Sequence, residues 1–169
     1  ENVEKDYTKA IELGDESADT FYCRGVARKV IGDFDGAEKD FIKTIELEPN
    51  NEIANYSLGL IKESQDLNFD AIEFFEKVLD INPKSYIACM GIANNSLIID
   101  EVDDAIDFYN KAIQIDENNA IGYSGRGNAK SELEDHEGAI SDYSKAIEID
   151  PSHENSYFNR ALSKDEISD

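Results

Sequence analysis

Thirty-eight carboxylates, two histidines and two cysteines are the residues of this 169-residue chain with the chemistry to cut, transfer or hold a ligand. An enzyme needs such groups arranged as a nucleophile beside a base, a ligand cluster, a phosphate cradle or a pair of tuned carboxylates. None of these arrangements is written here. Cys23 and Cys89 form neither a disulfide framework nor a metal-ligand spacing, and read as small buried helix residues. His153 falls in a polar loop after Pro151 and reads as solvated, and His136 falls at a turn. The stretch GYSGRGNAK, 122–130, holds three glycines, but a phosphate loop needs a strand before it, and periodicity puts this stretch inside a helix. The acidic residues include no twelve-residue calcium loop with its closing Glu. The expectation is a chain that is not an enzyme, with no catalytic residue, metal or cofactor.

Net charge narrows the partners. Asp and Glu outnumber Lys and Arg 38 to 16, for a formal charge of -22. Such a surface repels phosphate backbones and anionic lipid, so neither nucleic acid nor membrane is an expected partner. The charge reads first as a solvated outer face, and only second as attraction for basic partners. No run of 18 apolar residues could span a bilayer, and ENVEKDYTKA has no apolar core of a signal peptide. Because the chain does not open on Met, an upstream segment, signal included, stays open, and a cytoplasmic location is only the default. Two Asn-x-Ser sequons, at Asn55 and Asn94, carry no weight in so Asn-rich a chain.

What would position any of these residues is a repeat. AISDYSKAIEIDP at 139 restates AIDFYNKAIQIDE at 105, AIEFFEKVLDINP at 71 and AEKDFIKTIELEP at 37, always 34 residues apart. Complete units then run 18–51, 52–85, 86–119 and 120–153, flanked by partial units 1–17 and 154–169. In this register position 8 holds Gly25, Gly59, Ala93, Gly127 and Ala161, and position 20 holds Val3, Ala37, Ala71, Ala105 and Ala139. Position 24 is always aromatic (Tyr7, Phe41, Phe75, Tyr109, Tyr143), and Pro49, Pro83 and Pro151 share position 32. Apolar residues recur at i, i+3, i+4 and i+7, as in Ala71, Ile72, Phe75, Val78 and Leu79, so each unit is two amphipathic helices. GDFDG at 32–36 and Pro49-Asn50-Asn51 supply the breaks. Small residues at 8 and 20 let the two helices approach, and the aromatic at 24 fills the wedge. Neither helix of a pair buries its stripe alone, so units must stack. Position 7 reads Arg24, Leu58, Ile92 and Arg126 where position 23 reads Asp40, Phe74, Phe108 and Asp142. Charge opposite charge and apolar opposite apolar predict that these positions touch, as ion pairs Arg24 to Asp40 and Arg126 to Asp142.

Small residues at 8, 20 and 27, an aromatic at 24 and Pro at 32 resemble the tetratricopeptide repeat, over the whole chain. Position 11, usually aromatic in the family, departs with Arg28, Lys62, Ser96, Lys130 and Lys164, and Glu117 replaces Pro in the third complete unit. The resemblance implies an all-α, right-handed α-solenoid, a superhelix of antiparallel helix pairs in a single array. It implies a concave groove lined by first helices through positions 2, 5, 6, 9, 12 and 13. Those positions include Tyr22, Val26 and Val30, then Ile53, Tyr56 and Leu60, then Ile87, Met90, Asn94 and Leu97, then Ile121, Ser124 and Asn128. An apolar groove edged with Asn suits an extended or helical peptide. Some relatives clamp a chaperone's terminal carboxylate at positions 5 and 9 of one unit, 6 of the next, and 2 and 6 of the third. Tyr22, Val26, Ser57, Ile87 and Gly91 stand there, without that clamp.

The resulting expectation is a protein- or peptide-binding scaffold of unnamed partner. Two alternatives stand beside it: an accessory substrate-selecting region of a larger enzyme, or a self-associating structural array. The last follows from the partial units. Residues 154–169 followed by 1–17 make nearly one unit, with Ala161, Val3 and Tyr7 in phase and Arg160 facing Asp6, so end-to-end association of separate molecules is expected.

Overall fold

A computed structural model describes residues 2–168; Glu1 and Asp169, the outermost residues of the two partial repeats, lie outside the described residues. The described residues form ten helices and no strand: α1 (Asn2–Glu12), α2 (Ala18–Val30), α3 (Phe34–Leu47), α4 (Glu52–Ser64), α5 (Asn68–Ile81), α6 (Tyr86–Ile98), α7 (Val102–Ile115), α8 (Ala120–Glu132), α9 (His136–Ile149) and α10 (Glu154–Glu166). They fall into two compact units, Glu1–Pro83 with α1 to α5 and Lys84–Asp169 with α6 to α10.

Sequence chemistry sets the helix ends. Ser17, Asp33, Asn51 and Asp135 stand just before their helices and accept from the backbone N–H of Thr20, Gly36, Ala54 and Gly138, groups that otherwise lack a partner in the first turn. Between first and second helix, position 15 adopts a left-handed conformation in all four complete repeats: Gly32 (φ 85°), Asp66 (58°), Asp100 (66°) and Glu134 (60°). That twist lets the next N–H reach back to a carbonyl five residues earlier, as Asp33 to Arg28 and Asp135 to Lys130, both 2.9 Å. Only Gly32 makes this conformation without side-chain strain. After the second helices, Pro49, Pro83 and Pro151 follow the end residues Glu48, Asn82 and Asp150. In the third complete repeat, Glu117 takes the same turn without Pro, and Asp116 steadies it by accepting from the N–H of Asn118 at 3.1 Å.

Paired helices meet through the small residue at position 8. A methyl group on Gly25 would sit 2.7 Å from Cε1 of Phe41, and one on Gly59 would sit 2.5 Å from the same atom of Phe75. Both aromatic rings are fully buried, a contribution of about 1.5–3 kcal/mol each. In the unit Glu1–Pro83, Ala37, Phe41, Leu58 and Ile61 form one core, with Tyr22, Ile45 and Phe74 packed on it. In the unit Lys84–Asp169, Gly127 lies under Tyr143 in the same way. Position 8 of the repeat 86–119 is Ala93, and there the Tyr109 ring packs against Gly125 of the following helix.

Candidate binding faces on the first helices

The expected contact between positions 7 and 23 exists in both units. Arg24 grips Asp40 with two bonds, Nε to Oδ2 at 2.9 Å and Nη2 to Oδ1 at 2.6 Å, and Arg126 holds Asp142 likewise at 2.8 and 2.6 Å. Both carboxylates are buried, so a second cation joins each: Arg28 reaches Asp40 at 2.9 Å and Lys130 reaches Asp142 at 2.8 Å. These are positions 11, where the sequence departs from the family's aromatic. The hydrogen bonds from each guanidinium to its carboxylate hold Arg24 and Arg126 further toward the charged form than an ordinary arginine. The third nitrogen of each guanidinium ties back to the preceding second helix, Nη1 of Arg24 to Thr8 at 3.4 Å and Nη1 of Arg126 to Asn110 at 2.6 Å. These ions are used up in holding helix pairs together, and offer nothing to an acidic ligand.

That framework presents the first helices. In the unit Glu1–Pro83, α2 carries Tyr22, half-buried, with Val26 and Val30 exposed, Val30 to 81%. Helix α4 carries Ile53, 59% exposed, beside half-buried Tyr56 and Leu60. Tyr22 leans on Phe41 and Tyr56 on Phe75, with ring centroids 5.5 and 5.6 Å apart. Between α1 and α2 opens a cavity of about 480 Å³ lined by Val3, Tyr7, Tyr22, Cys23, Val26 and Val30, among others. Among the described residues on its wall the charged one, Glu4, is already bonded to Thr8 and Arg28.

The unit Lys84–Asp169 presents a different face. Ile87 and Ile121 are exposed and Leu97 is half-buried, but Met90 (8% exposed) and Ser124 (6%) are buried and have little surface to offer a ligand. Asn94 and Asn128 are committed at one end: Tyr109 Oη donates to Asn94 Oδ1 at 2.7 Å, and Tyr143 Oη donates to Asn128 Oδ1 at 2.9 Å. Asn159 Nδ2 donates to the same Asn128 oxygen at 2.9 Å. With both carbonyls taken, the side-chain N–H groups of Asn94 and Asn128 are what remains for a ligand. Burial pushes the Tyr109 and Tyr143 hydroxyls up to about 12. Asn128, Tyr143 and Asn159 line a cavity of about 470 Å³ walled by Leu97 and Leu162 and edged by Ser131 and Glu132.

Sequence reasoning named both asparagines but missed what holds them. The signal was present: position 9 is Val26 or Leu60 where position 24 is Phe41 or Phe75, and Asn94 or Asn128 where position 24 is Tyr109 or Tyr143. A buried phenol needs an acceptor and a buried phenyl does not. It also left unread that Asn128 and Asn159 stand at two of the clamp positions, 9 and the following 6, while the basic position 5 is occupied by buried Ser124. His153, expected to be solvated, instead bonds through Nδ1 to the Ser156 hydroxyl at 2.8 Å, at the start of α10.

The tetratricopeptide repeat family pattern matches residues 24–86 and again residues 120–153. Among solved structures, that of MamA protein superposes with a TM-score of 0.84 at 29% identity, covering 89% of this chain and 82% of that one. YrrB, described as a TPR protein with an unusual peptide-binding site, gives 0.81 at 19% identity, over 96% of this chain and 84% of its own. The first TPR of Spaghetti (RPAP3), bound to the HSP90 peptide SRMEEVD, gives 0.68 at 19% identity, over 70% and 94%. No curated protein matches the chain by sequence.

Proposed function

The chain belongs to the tetratricopeptide repeat family, and from that premise we propose that it is a non-catalytic scaffold holding a peptide of a partner protein against its first helices. The observation that carries this reading is the row of apolar and phenolic side chains on α2 and α4, of which Val26, Val30 and Ile53 stand in solvent and Tyr22, Tyr56 and Leu60 are half-buried. Apolar surface left open in this way is costly unless a ligand covers it. Tyr22, Val26, Val30, Ile53, Tyr56 and Leu60 take apolar side chains. Asn94 and Asn128, flanked by Ile87, Leu97 and Ile121, supply N–H donors to main-chain carbonyls. Met90 and Ser124 back this surface from beneath.

The peptide is neutral or basic. Across positions 2, 5, 6, 9, 12 and 13 of the four complete repeats Lys29 stands against Asp19, Glu63 and Glu132, and the formal charge of -22 repels acidic segments before contact. The acidic HSP90 peptide bound by the Spaghetti repeat is of the disfavoured sign.

Exposed positions make the cleanest test, because buried Met90 would unfold the chain if charged. Ile53→Glu and Ile121→Glu place one carboxylate on each unit's face. Peptides selected from a random display library on the wild-type chain are expected to lose at least tenfold in affinity for one or both variants. Undiminished binding to both would move the site to the second-helix side.

A further inference from the structure

We infer that, in a peptide held as proposed above, one glutamine seats its side-chain carboxamide in the cavity of about 470 Å³ where α8, α9 and α10 meet, a reading that rests on the peptide-binding one. Three polar side chains of this cavity are bonded to one another. Asn128 Oδ1 accepts from the buried Tyr143 hydroxyl and from Asn159 Nδ2, each at 2.9 Å, which takes both of its lone pairs. Asn128 Nδ2 and Asn159 Oδ1 have no bond to any other described residue, and both side chains are half-buried on the cavity wall. One donor and one acceptor, flanking a 2.9 Å bond, are left for a ligand. That remainder is the same whichever way the two amides are turned. Where two carboxamides meet, one spends its carbonyl and the other an N–H, so one acceptor and one donor stay over.

A primary carboxamide answers both groups at once, its carbonyl accepting from Asn128 Nδ2 and its N–H donating to Asn159 Oδ1. A carboxylate has no proton for Asn159 Oδ1, and among the residues of the wall it meets no Lys or Arg, but Glu132. A lysine ammonium suits Glu132 and Asn159 Oδ1 and gives Asn128 Nδ2 nothing to donate to. An apolar side chain leaves both groups facing carbon. Leu97 and Leu162 wall the same cavity, so the two methylenes of glutamine pack on them while its amide reaches the asparagines; asparagine, one methylene shorter, covers less of them. One repeat earlier the second amide is missing. Asn94 stands at position 9 there, but the following position 6 is Gly125, packed against the Tyr109 ring. Of these two places, only the cavity between α8 and α10 reads a carboxamide, and it does so at one register of the peptide.

Random peptides displayed on phage, selected in parallel on the wild-type chain and on Asn159→Leu, test this, each protein first checked for unchanged helical signal. The wild type is expected to enrich Gln at one fixed position of its peptides, and Asn159→Leu to lose that enrichment. In such a peptide Gln→Met, neutral and of similar length, is expected to weaken wild-type binding about tenfold, the effect of losing two modest hydrogen bonds, and to leave binding to Asn159→Leu unchanged. Asn159→Lys, which sets a cation beside Asn128, is expected to replace Gln by Glu at that position. Wild-type peptides without a fixed Gln, or a Gln that Asn159→Leu selects equally, would overturn the glutamine seat and leave peptide binding standing. A wild-type chain that enriches no peptide would overturn both.

Discussion

The two units use the same three positions in opposite ways. Across the unit Glu1–Pro83, positions 5, 9 and 24 read Tyr22, Val26, Phe41 and Tyr56, Leu60, Phe75; across the unit Lys84–Asp169 they read Met90, Asn94, Tyr109 and Ser124, Asn128, Tyr143. In the first unit the wedge residue has no polar atom, so the neighbouring first helix keeps an aliphatic side chain and a tyrosine stacks on the buried ring. In the second unit the wedge residue brings a hydroxyl into the core, and an asparagine must accept from it. One added oxygen at position 24 thus converts an apolar face into one that offers N–H donors. Beneath both faces the support is alike, a buried aspartate held by an arginine and a second cation.

The likeness of the supports yields the largest expected effect. Asp40→Ala would take the buried anion from Arg24 and leave Arg28 with Glu4 and Asp33, at 3.3 and 3.7 Å, and Asp142→Ala would take from Arg126 and Lys130 the anion they share. Each is expected to cost about 3–5 kcal/mol in urea denaturation. If the two losses differ severalfold, the supports are not equivalent. Replacing the pair with the apolar solution of the next repeat, Arg24→Leu with Asp40→Phe after Leu58 and Phe74, recovers most of the loss.

The contrast of the faces yields the next. Asn128→Leu strands the Tyr143 hydroxyl in the core and is expected to cost about 1–3 kcal/mol. Adding Tyr143→Phe, which copies the Leu60 and Phe75 arrangement, returns most of it. A second substitution that adds to the first without compensation would show that the Tyr to Asn bond does not set the residue at position 9.

Alkali separates the units more gently. In the folded chain Tyr109 and Tyr143 ionise near 12, against about 10 for a free phenol. The raised value favours the protonated form in the folded state, so the contribution is complete below about pH 10 and is lost as pH rises through 12. Burial also raises Tyr86 to about 12, so, followed by tyrosinate absorbance, Tyr109→Phe with Tyr143→Phe should shrink the highest-pH part of the transition and leave the share of Tyr86. An unchanged curve would refute the burial of these phenols.

The smallest effect concerns the turns. Glu134 holds a left-handed conformation at φ 60° that Gly32 holds without strain. Glu134→Gly is expected to gain about 1 kcal/mol, seen as a higher melting temperature.

How much of this was legible in the residues varies with the range of the interaction. The helix pairs could be read because position 8, position 24 and the prolines recur at one spacing, and the Arg24 to Asp40 contact because charge at 7 travels with charge at 23. The same kind of comparison would have paired Asn94 with Tyr109. The left-handed turns at Asp66, Asp100 and Glu134 were not readable, since only Gly32 announces one and the rest of the turn imposes it on its counterparts. The burial of Met90 and Ser124 also escaped, because a position on the correct helical face says nothing of how deeply its neighbours cover it.

The most direct test is hydrogen exchange on the intact chain with a display-selected peptide bound. Added protection is predicted on α2 and α4, on α6 and α8, or on both pairs, with apolar peptides favouring the first pair and losing affinity to Ile53→Glu. Protection confined to α3, α5, α7 and α9 would contradict binding by the first helices.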